Sequence, residues 1–230
     1  MILESKTIAR SLLRKAKLTG VAHRIRMLWH RGDYEDRFSD ALLGCIAPDD
    51  CVWDVGANVG YYTERLSRLA SHVIAFEPVP ENYSQIESRM LPNVQCCQTA
   101  LGDVTGEVTM SVNGPFSSIA SATHAEIPTQ SVAIARGDDL TSLRPPSVVK
   151  IDVEGYELEV IQGMHRILRG VRALFVEVHF QILEDRGMPQ GPSQLVNEIR
   201  KLGFSDIKWP DASHISAFRP YNEEQPALSA

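Results

Sequence analysis

VWDVGANVGYYT, residues 52–63, runs from apolar residues into an acid, then into Gly-x-Asn-x-Gly, then into a segment that reads as a helix. Strand, glycine-bearing turn and helix in that order form a nucleotide-binding unit. Glycine lets the backbone approach a ligand, and the helix start offers free N–H groups. A dinucleotide fingerprint needs Gly-x-Gly-x-x-Gly. Here Asn58 stands at the second glycine position and Tyr61 at the third. No Gly-Lys-Ser/Thr follows, so a phosphate-cradling P-loop is excluded too. Asp54, two residues before Gly56, would repel a phosphate but suits a cationic group such as an ammonium. A ligand with an amino acid end and no phosphates fits this turn, and S-adenosylmethionine is such a ligand.

Working outward, short apolar runs alternate with helical stretches from about residue 50. Strands are predicted at 51–55, 72–76, 94–101, 147–153, 173–178, 205–209 and 214–218. Helices are predicted at 59–69, 80–90, 157–168 and 193–202, the last with Ser193 as N-cap and Gly203 as its stop. Residues 106–138 carry two alternating segments, EVTMSV and SVAIAR, around a Ser/Gly/Pro-rich loop, which reads as a hairpin insertion. QILEDRGMPQGP, after the fifth strand, reads as a loop. This alternation implies a largely parallel sheet with right-handed crossovers, and apolar strands such as VVKIDV and ALFVEV fit coverage on both faces. Ligands then sit at the carboxyl ends of the strands.

Those ends hold the titratable residues. Glu77 follows the second strand, seventeen residues past Gly60, close to the offset at which an acid receives ribose hydroxyls. In KIDVEGYE, Lys150, Asp152 and Glu154 alternate and share one side of an extended segment. In FVEVH, Glu177 and His179 do the same. If these strands are neighbours, Asp152, Glu154, Glu177 and His179 crowd one edge of the sheet, an arrangement that reads as an active site.

VWDVGANVGYYT, VIAFEPVPENYSQI, TALGDVTGEV and VVKIDVEGYELEVIQG, in that order and spacing, resemble the FkbM-like family of S-adenosylmethionine-dependent methyltransferases over about residues 49–180. The resemblance implies an α/β, Rossmann-like class I methyltransferase fold. Its mostly parallel seven-stranded sheet would carry helices on both faces, an N-terminal helical extension and the β-hairpin insertion. It implies O-methylation of a hydroxyl on a sugar or natural product. It also implies a cofactor site of Asp54, Gly56, Ala57, Asn58 and Gly60 at the methionine end, Glu77 and Pro78 at the ribose, and Thr99, Ala100 and Leu101 towards the adenine, with Asp152 nearby. Many members have Asn where this chain has Thr99.

An alcohol needs a general base, and His179, whose ordinary pKa is near neutral, is the candidate, oriented by Glu177. Asp152 and Glu154 are the alternatives for that role. The same cluster would suit a divalent cation as a rival use, and no metal is assigned. Two other functions compete: a nicotinamide-dependent oxidoreductase, opposed by the glycine spacing and Asp54, and a catalytically silent cofactor-binding scaffold, opposed by the presence of Asp54 and Glu77.

At 230 residues the chain suits one domain with short additions. The expected division is a helical extension over 1–45, a methyltransferase domain over 46–220 and a disordered tail over 221–230. The net charge of −6 is uneven. Residues 1–37 hold nine Lys/Arg and four acids, leaving an acidic body that argues against nucleic acid as substrate. The basic segment is expected to pack as a solvated helix on its own domain rather than on a membrane. No apolar run of eighteen residues and no secretory signal is apparent, so a cytoplasmic location is expected, with the four cysteines as buried thiols. The loop RGMPQGPS and the insertion NGPFSSIASATHAE are expected to roof the acceptor pocket, with Ser117, Ser118, His124 and Arg186 suited to a hydroxylated small molecule.

Overall fold

A computed structural model describes residues 33–111, 119 and 128–220. The helical reading of residues 1–32, the residues Ser117, Ser118 and His124, and the tail 221–230 lie outside the described residues. In chain order the elements are α1 (Asp33–Cys45), β1 (Cys51–Val55), α2 (Tyr61–Ser67), β2 (His72–Phe76), α3 (Pro80–Glu87), β3 (Val94–Cys97), β4 (Ala100–Leu101), β5 (Gly106–Ser111) and β6 (Thr129–Ala135). They continue with β7 (Val148–Ile151), α4 (Glu157–Gly163), α5 (His165–Leu168), β8 (Ala173–Glu177), α6 (Phe180–Asp185), α7 (Gly191–Lys201), β9 (Asp206–Lys208) and β10 (His214–Phe218).

The main sheet has seven strands in the order β3-β2-β1-β7-β8-β10-β9. The first five run parallel, and β10 pairs antiparallel with both β8 and β9. This is the mostly parallel seven-stranded sheet that was expected. β1 explains why: all five of its residues are buried, so each side chain must find a partner on one face or the other. Trp53 and Val55 join Val149, Ile151, Leu174 and Val176 under Leu158 and Ile161 of α4 and Leu195 and Ile199 of α7. Val52 joins Val73, Val148 and Phe175 on the opposite face, against Leu66 of α2 and Phe38 and Leu42 of α1. Burial of each such side chain stabilises the fold by about 1.5–3 kcal/mol. Thus α1, read as part of an extension, contributes to the core. No helix among the described residues is long and apolar enough to cross a membrane.

The hairpin insertion is present, but it joins a second sheet, β4-β6-β5. The strand expected over 94–101 is therefore two strands in different sheets. The chain turns at Thr99, whose N–H donates to the Cys97 carbonyl at 2.9 Å. The helix expected over 157–168 breaks at Met164 (φ −120°). There the Asp138 carboxylate accepts the N–H groups of Arg166 and Ile167 and starts a new helix. Residues 181–185, read as the start of a loop, belong to α6, which buries Leu183. The last long helix starts earlier than expected, with Gln190 as N-cap and Pro192 in its first turn, so Ser193 is not the cap. Gly203 ends it with φ +94°. Of the four free cysteines, Cys51 alone is fully buried.

Candidate active site

The turn after β1 is fixed by backbone. The N–H groups of Gly56 and Ala57 both donate to the Phe76 carbonyl at 3.0 Å. Gly56 has φ +78°, and a Cβ there would lie 1.8 Å from the Asp152 carbonyl oxygen, so the turn packs directly on the end of β7. Asn58 also adopts positive φ, 51°, which asparagine tolerates better than most residues. Its N–H donates to Glu77 Oε2 at 2.8 Å. Glu77 Oε1 accepts the Val79 N–H at 2.9 Å, so one carboxylate ties the ends of β1 and β2 together. Burial raises the Glu77 pKa, and the hydrogen bonds from Val79 and Asn58 oppose that rise.

A cleft of about 620 Å³, open to solvent, lies over this turn. Gly56, Asn58, Glu77, Pro78, Thr99, Ala100, Asp152 and Glu154, all named as candidate site residues in the sequence, are among those that line it. Leu101, expected with Thr99 and Ala100 on the adenine side, also lines it, and Val55, Phe76, Asn82, Met110, Ile119 and Val153 join them without having been foreseen. Among the described lining residues there are three carboxylates and no lysine or arginine. That set disfavours a pyrophosphate and suits a ligand bearing positive charge.

Asp54, Ala57 and Gly60, expected at the methionine end, are not among the residues that line the cleft. Side chains alternate along β1, so Asp54 faces away from Val55 and is fully buried. Its Oδ2 accepts from Thr63 Oγ1 at 2.7 Å, and its Oδ1 lies 3.1 Å from Lys150 Nζ. Lys150, its register partner on β7, also donates to the Gly56 carbonyl at 3.3 Å and lies 3.5 Å from Asp152 Oδ2. Burial alone would lower the Lys150 pKa, but Asp54 and Asp152 reverse this and raise it. The ammonium expected from a ligand is thus already supplied to Asp54 by the chain. Ala57 packs with Ala75 and Ile86, and Gly60 is the N-cap of α2 with φ +83°.

The expected acid–imidazole cluster does form. His179 is the N-cap of α6. Its Nε2 lies 3.2 Å from Glu154 Oε2, 3.8 Å from Asp152 Oδ1 and 3.9 Å from Glu177 Oε1. Its Nδ1 lies 2.7 Å from Oε1 of Glu157, whose side chain is fully buried and also accepts the Gly155 N–H. Burial lowers the His179 pKa, but the hydrogen bonds to Glu154 and Glu157 outweigh it and hold the imidazole well above 6.5. Asp152 moves to about 7, chiefly through burial and then the charge of Glu177, against the pull of Lys150 and His179. Donor atoms of Asp152, Glu154 and His179 all lie within 4.8 Å of one another, close enough to hold a metal ion.

Two members of this site escaped the sequence reading. Glu157 stands in the quoted KIDVEGYE, but its contact with His179 needs the turn at Glu154 (φ +53°) and Gly155 to fold it back. His214 lies beyond Glu177, Nε2 to Oε2 at 3.3 Å, and no local pattern announces it. Arg186, expected near an acceptor, is instead tied to Glu159 at 2.5 Å and to the Gly155 carbonyl.

Comparison with known proteins agrees with this geometry. Residues 54–205 match the model of the methyltransferase FkbM domain. The hexuronic acid methyltransferase AglP of Haloferax volcanii is 34% identical over 170 residues, 70% of this chain and 70% of that protein. Among solved structures, the methyltransferase FkbM from Methylobacillus flagellatus superposes with a TM-score of 0.55 at 15% identity, over 75% of this chain and 44% of that one. The DhpI-SAM-HEP complex superposes with a TM-score of 0.50 at 14% identity, over 92% of this chain and 97% of that one. At such identities the solved structures speak for the fold alone, which is the class I methyltransferase fold. The family match covers well over half of the sequence, and on that ground the chain belongs to the FkbM family of S-adenosylmethionine-dependent methyltransferases.

Proposed function

We propose that the chain is an O-methyltransferase whose acceptor is a hydroxyl of a sugar or related small molecule, with a hexuronic acid unit as the first candidate. The observation that carries this reading is the junction of two features. The acidic, cation-suited cleft over Gly56 and Glu77 runs directly into the Asp152–Glu154–His179 cluster, with Asp152 and Glu154 belonging to both. The similarity to a hexuronic acid methyltransferase supports the acceptor class.

Bound S-adenosylmethionine supplies an activated methyl group, so the protein's task is alignment and proton removal. Glu77 retains lone pairs towards the cleft and suits the ribose hydroxyls. Pro78, Leu101, Met110 and Ile119 offer an apolar wall for the adenine. The acceptor hydroxyl loses one proton for each methyl it gains. His179 rests as an imidazolium between Glu154 and Glu157 and has no free site for that proton. Asp152 faces the cleft with a pKa of about 7, close to the optimum for a general base working near neutrality. Asp152 is therefore the acceptor of the proton, and His179 fixes the carboxylates around it.

The test is methyl transfer from labelled S-adenosylmethionine to glucuronic acid, galacturonic acid, their methyl glycosides and glucose. The expected product is an alkali-stable methyl ether, formed by the wild type and lost in Asp152→Asn with cofactor binding kept. An alkali-labile methyl ester would put the methyl on the carboxylate, which needs no base, and would sink the role given to Asp152. No transfer to any sugar would remove the acceptor class.

A further inference from the structure

One buried titratable pair has no part in the mechanism above. His214 is 5% exposed on β10, directly opposite Glu177 of β8 in the antiparallel register. Its Nε2 lies 3.3 Å from Glu177 Oε2. Its Nδ1 lies 2.8 Å from both carboxylate oxygens of Asp211, in the turn that precedes β10. Asp211 is itself held by the N–H groups of Ser213 and His214 at 2.8 and 3.0 Å. Phe38 of α1 covers the imidazole, with ring centroids 4.1 Å apart. Both ring nitrogens therefore face carboxylates, one on each side. The other oxygen of Glu177 is the one that borders His179.

We propose that His214, gripped by Asp211, is a positioning residue for methyl transfer: it fixes Glu177 at the rim of the Asp152–His179 cluster. The parts that do this lie outside the family match at 54–205, namely Phe38, Asp211 and His214. The segments around the common domain thereby complete the site. An imidazolium is the only ionic form that donates to two carboxylates at once, and its charge is retained up to about 9. Burial lowers the His214 pKa, and the hydrogen bonds to Asp211 and Glu177 raise it past its ordinary value. The groups facing Glu177 are His214 from β10, His179 from the start of α6, Asp152 just past the end of β7 and, at longer range, Lys150 from β7. Burial raises the Glu177 pKa, and His214, His179 and Lys150 together hold it below its usual range.

The proposal rests on the methyl-transfer reading for its kinetic arm only. In His214→Gln, which keeps an N–H donor but no charge, kcat falls roughly tenfold to a hundredfold, while S-adenosylmethionine binding, read by thermal shift, stays at the wild-type level. Wild-type kcat declines as pH rises through about 9, where His214 loses its proton. That limb disappears in His214→Gln and moves to lower pH in Asp211→Asn. Unchanged limbs in both variants overturn the proposal. The second arm needs no acceptor: the ¹³C-labelled Glu177 carboxyl titrates higher in His214→Gln than in the wild type. An unmoved Glu177 titration overturns the proposal whether or not a sugar substrate has been found. An absence of all methyl transfer with a shifted Glu177 titration refutes the sugar reading and leaves the His214–Glu177 link supported.

Discussion

Removing the Lys150 ammonium tests the structure beneath the cofactor turn. In Lys150→Met the side-chain volume is nearly kept, but Asp54 loses the only cation within reach among the described residues. Asp54 is fully buried and Lys150 2% exposed. What remains for the carboxylate is one hydrogen bond from Thr63 Oγ1. Breaking a buried pair from one side costs about 3–5 kcal/mol, because the other charge stays desolvated. For a chain of this size each kcal/mol moves Tm by roughly 2–4 °C, so the expected loss is roughly 6–20 °C. The double variant Asp54→Asn/Lys150→Met removes both charges, and the new amide still accepts from Thr63. Replacing both members of a buried pair is often nearly neutral, so the double variant is expected to be more stable than the single. Urea unfolding followed by circular dichroism, without cofactor or acceptor, reads both. A single variant within about 1 kcal/mol of wild type would match a surface ion pair. That result, or a double variant weaker than the single, would refute the burial of this pair.

Four further outcomes are expected. Glu77→Gln keeps the shape but weakens the acceptor of two N–H groups and of the ribose, so cofactor affinity measured by titration calorimetry should fall about tenfold or more, at about 1.4 kcal/mol per decade; full affinity would remove Glu77 from the site. Gly56→Ala must adopt φ +78° and push its Cβ into the Asp152 carbonyl, so it should fail to bind cofactor or fail to fold, and a variant binding normally would contradict the turn geometry. The Asp152 carboxyl is raised in the folded state to about 7, so its ionised form is lost as pH drops, and kcat/KM should decline below about pH 7; a flat acid limb down to pH 5 would exclude it as base. Turnover should survive EDTA, because the His179 proton already balances the carboxylates; loss of activity restored by magnesium would replace the proton with a metal.

Much of the fold is local and was therefore legible. The runs CVWDV, VVKI and ALFVE are apolar but for one charged residue each, and only a sheet covered on both faces buries nearly every residue of such strands. Where reading failed, a long-range contact had overridden a local pattern. The segment VQCCQTAL over 94–101 reads as one strand, yet Ala100 and Leu101 pair with β6, and nothing near them encodes that choice. The 157–168 segment looks like one helix until Asp138, about thirty residues earlier, caps its second half. A helix of six residues, α6, falls below the length at which periodicity separates it from a loop.

The site divides along the same line. Asp152, Glu154, Glu177 and His179 come together because they stand at and just past the ends of β7 and β8, which are neighbours in the sheet. Glu157 and His214 reach the cluster through a backbone reversal and through an antiparallel strand from the far end of the chain, so spacing carries no trace of them. Asp54 is the instructive case, since at its strand-end position the chain itself supplies a cation, Lys150. An acid there needs a cation, but the cation has two possible sources, a ligand or the chain. The alternation that grouped Lys150 with Asp152 also puts Lys150 on the face of β7 that meets Asp54 once β1 and β7 are adjacent. A buried lysine next to a buried aspartate in the same register satisfies both at less cost than either would incur alone. The acid of the cofactor turn is therefore tied into the fold through Lys150, while Glu77, Asp152, Gly56 and Asn58 line the cleft above it.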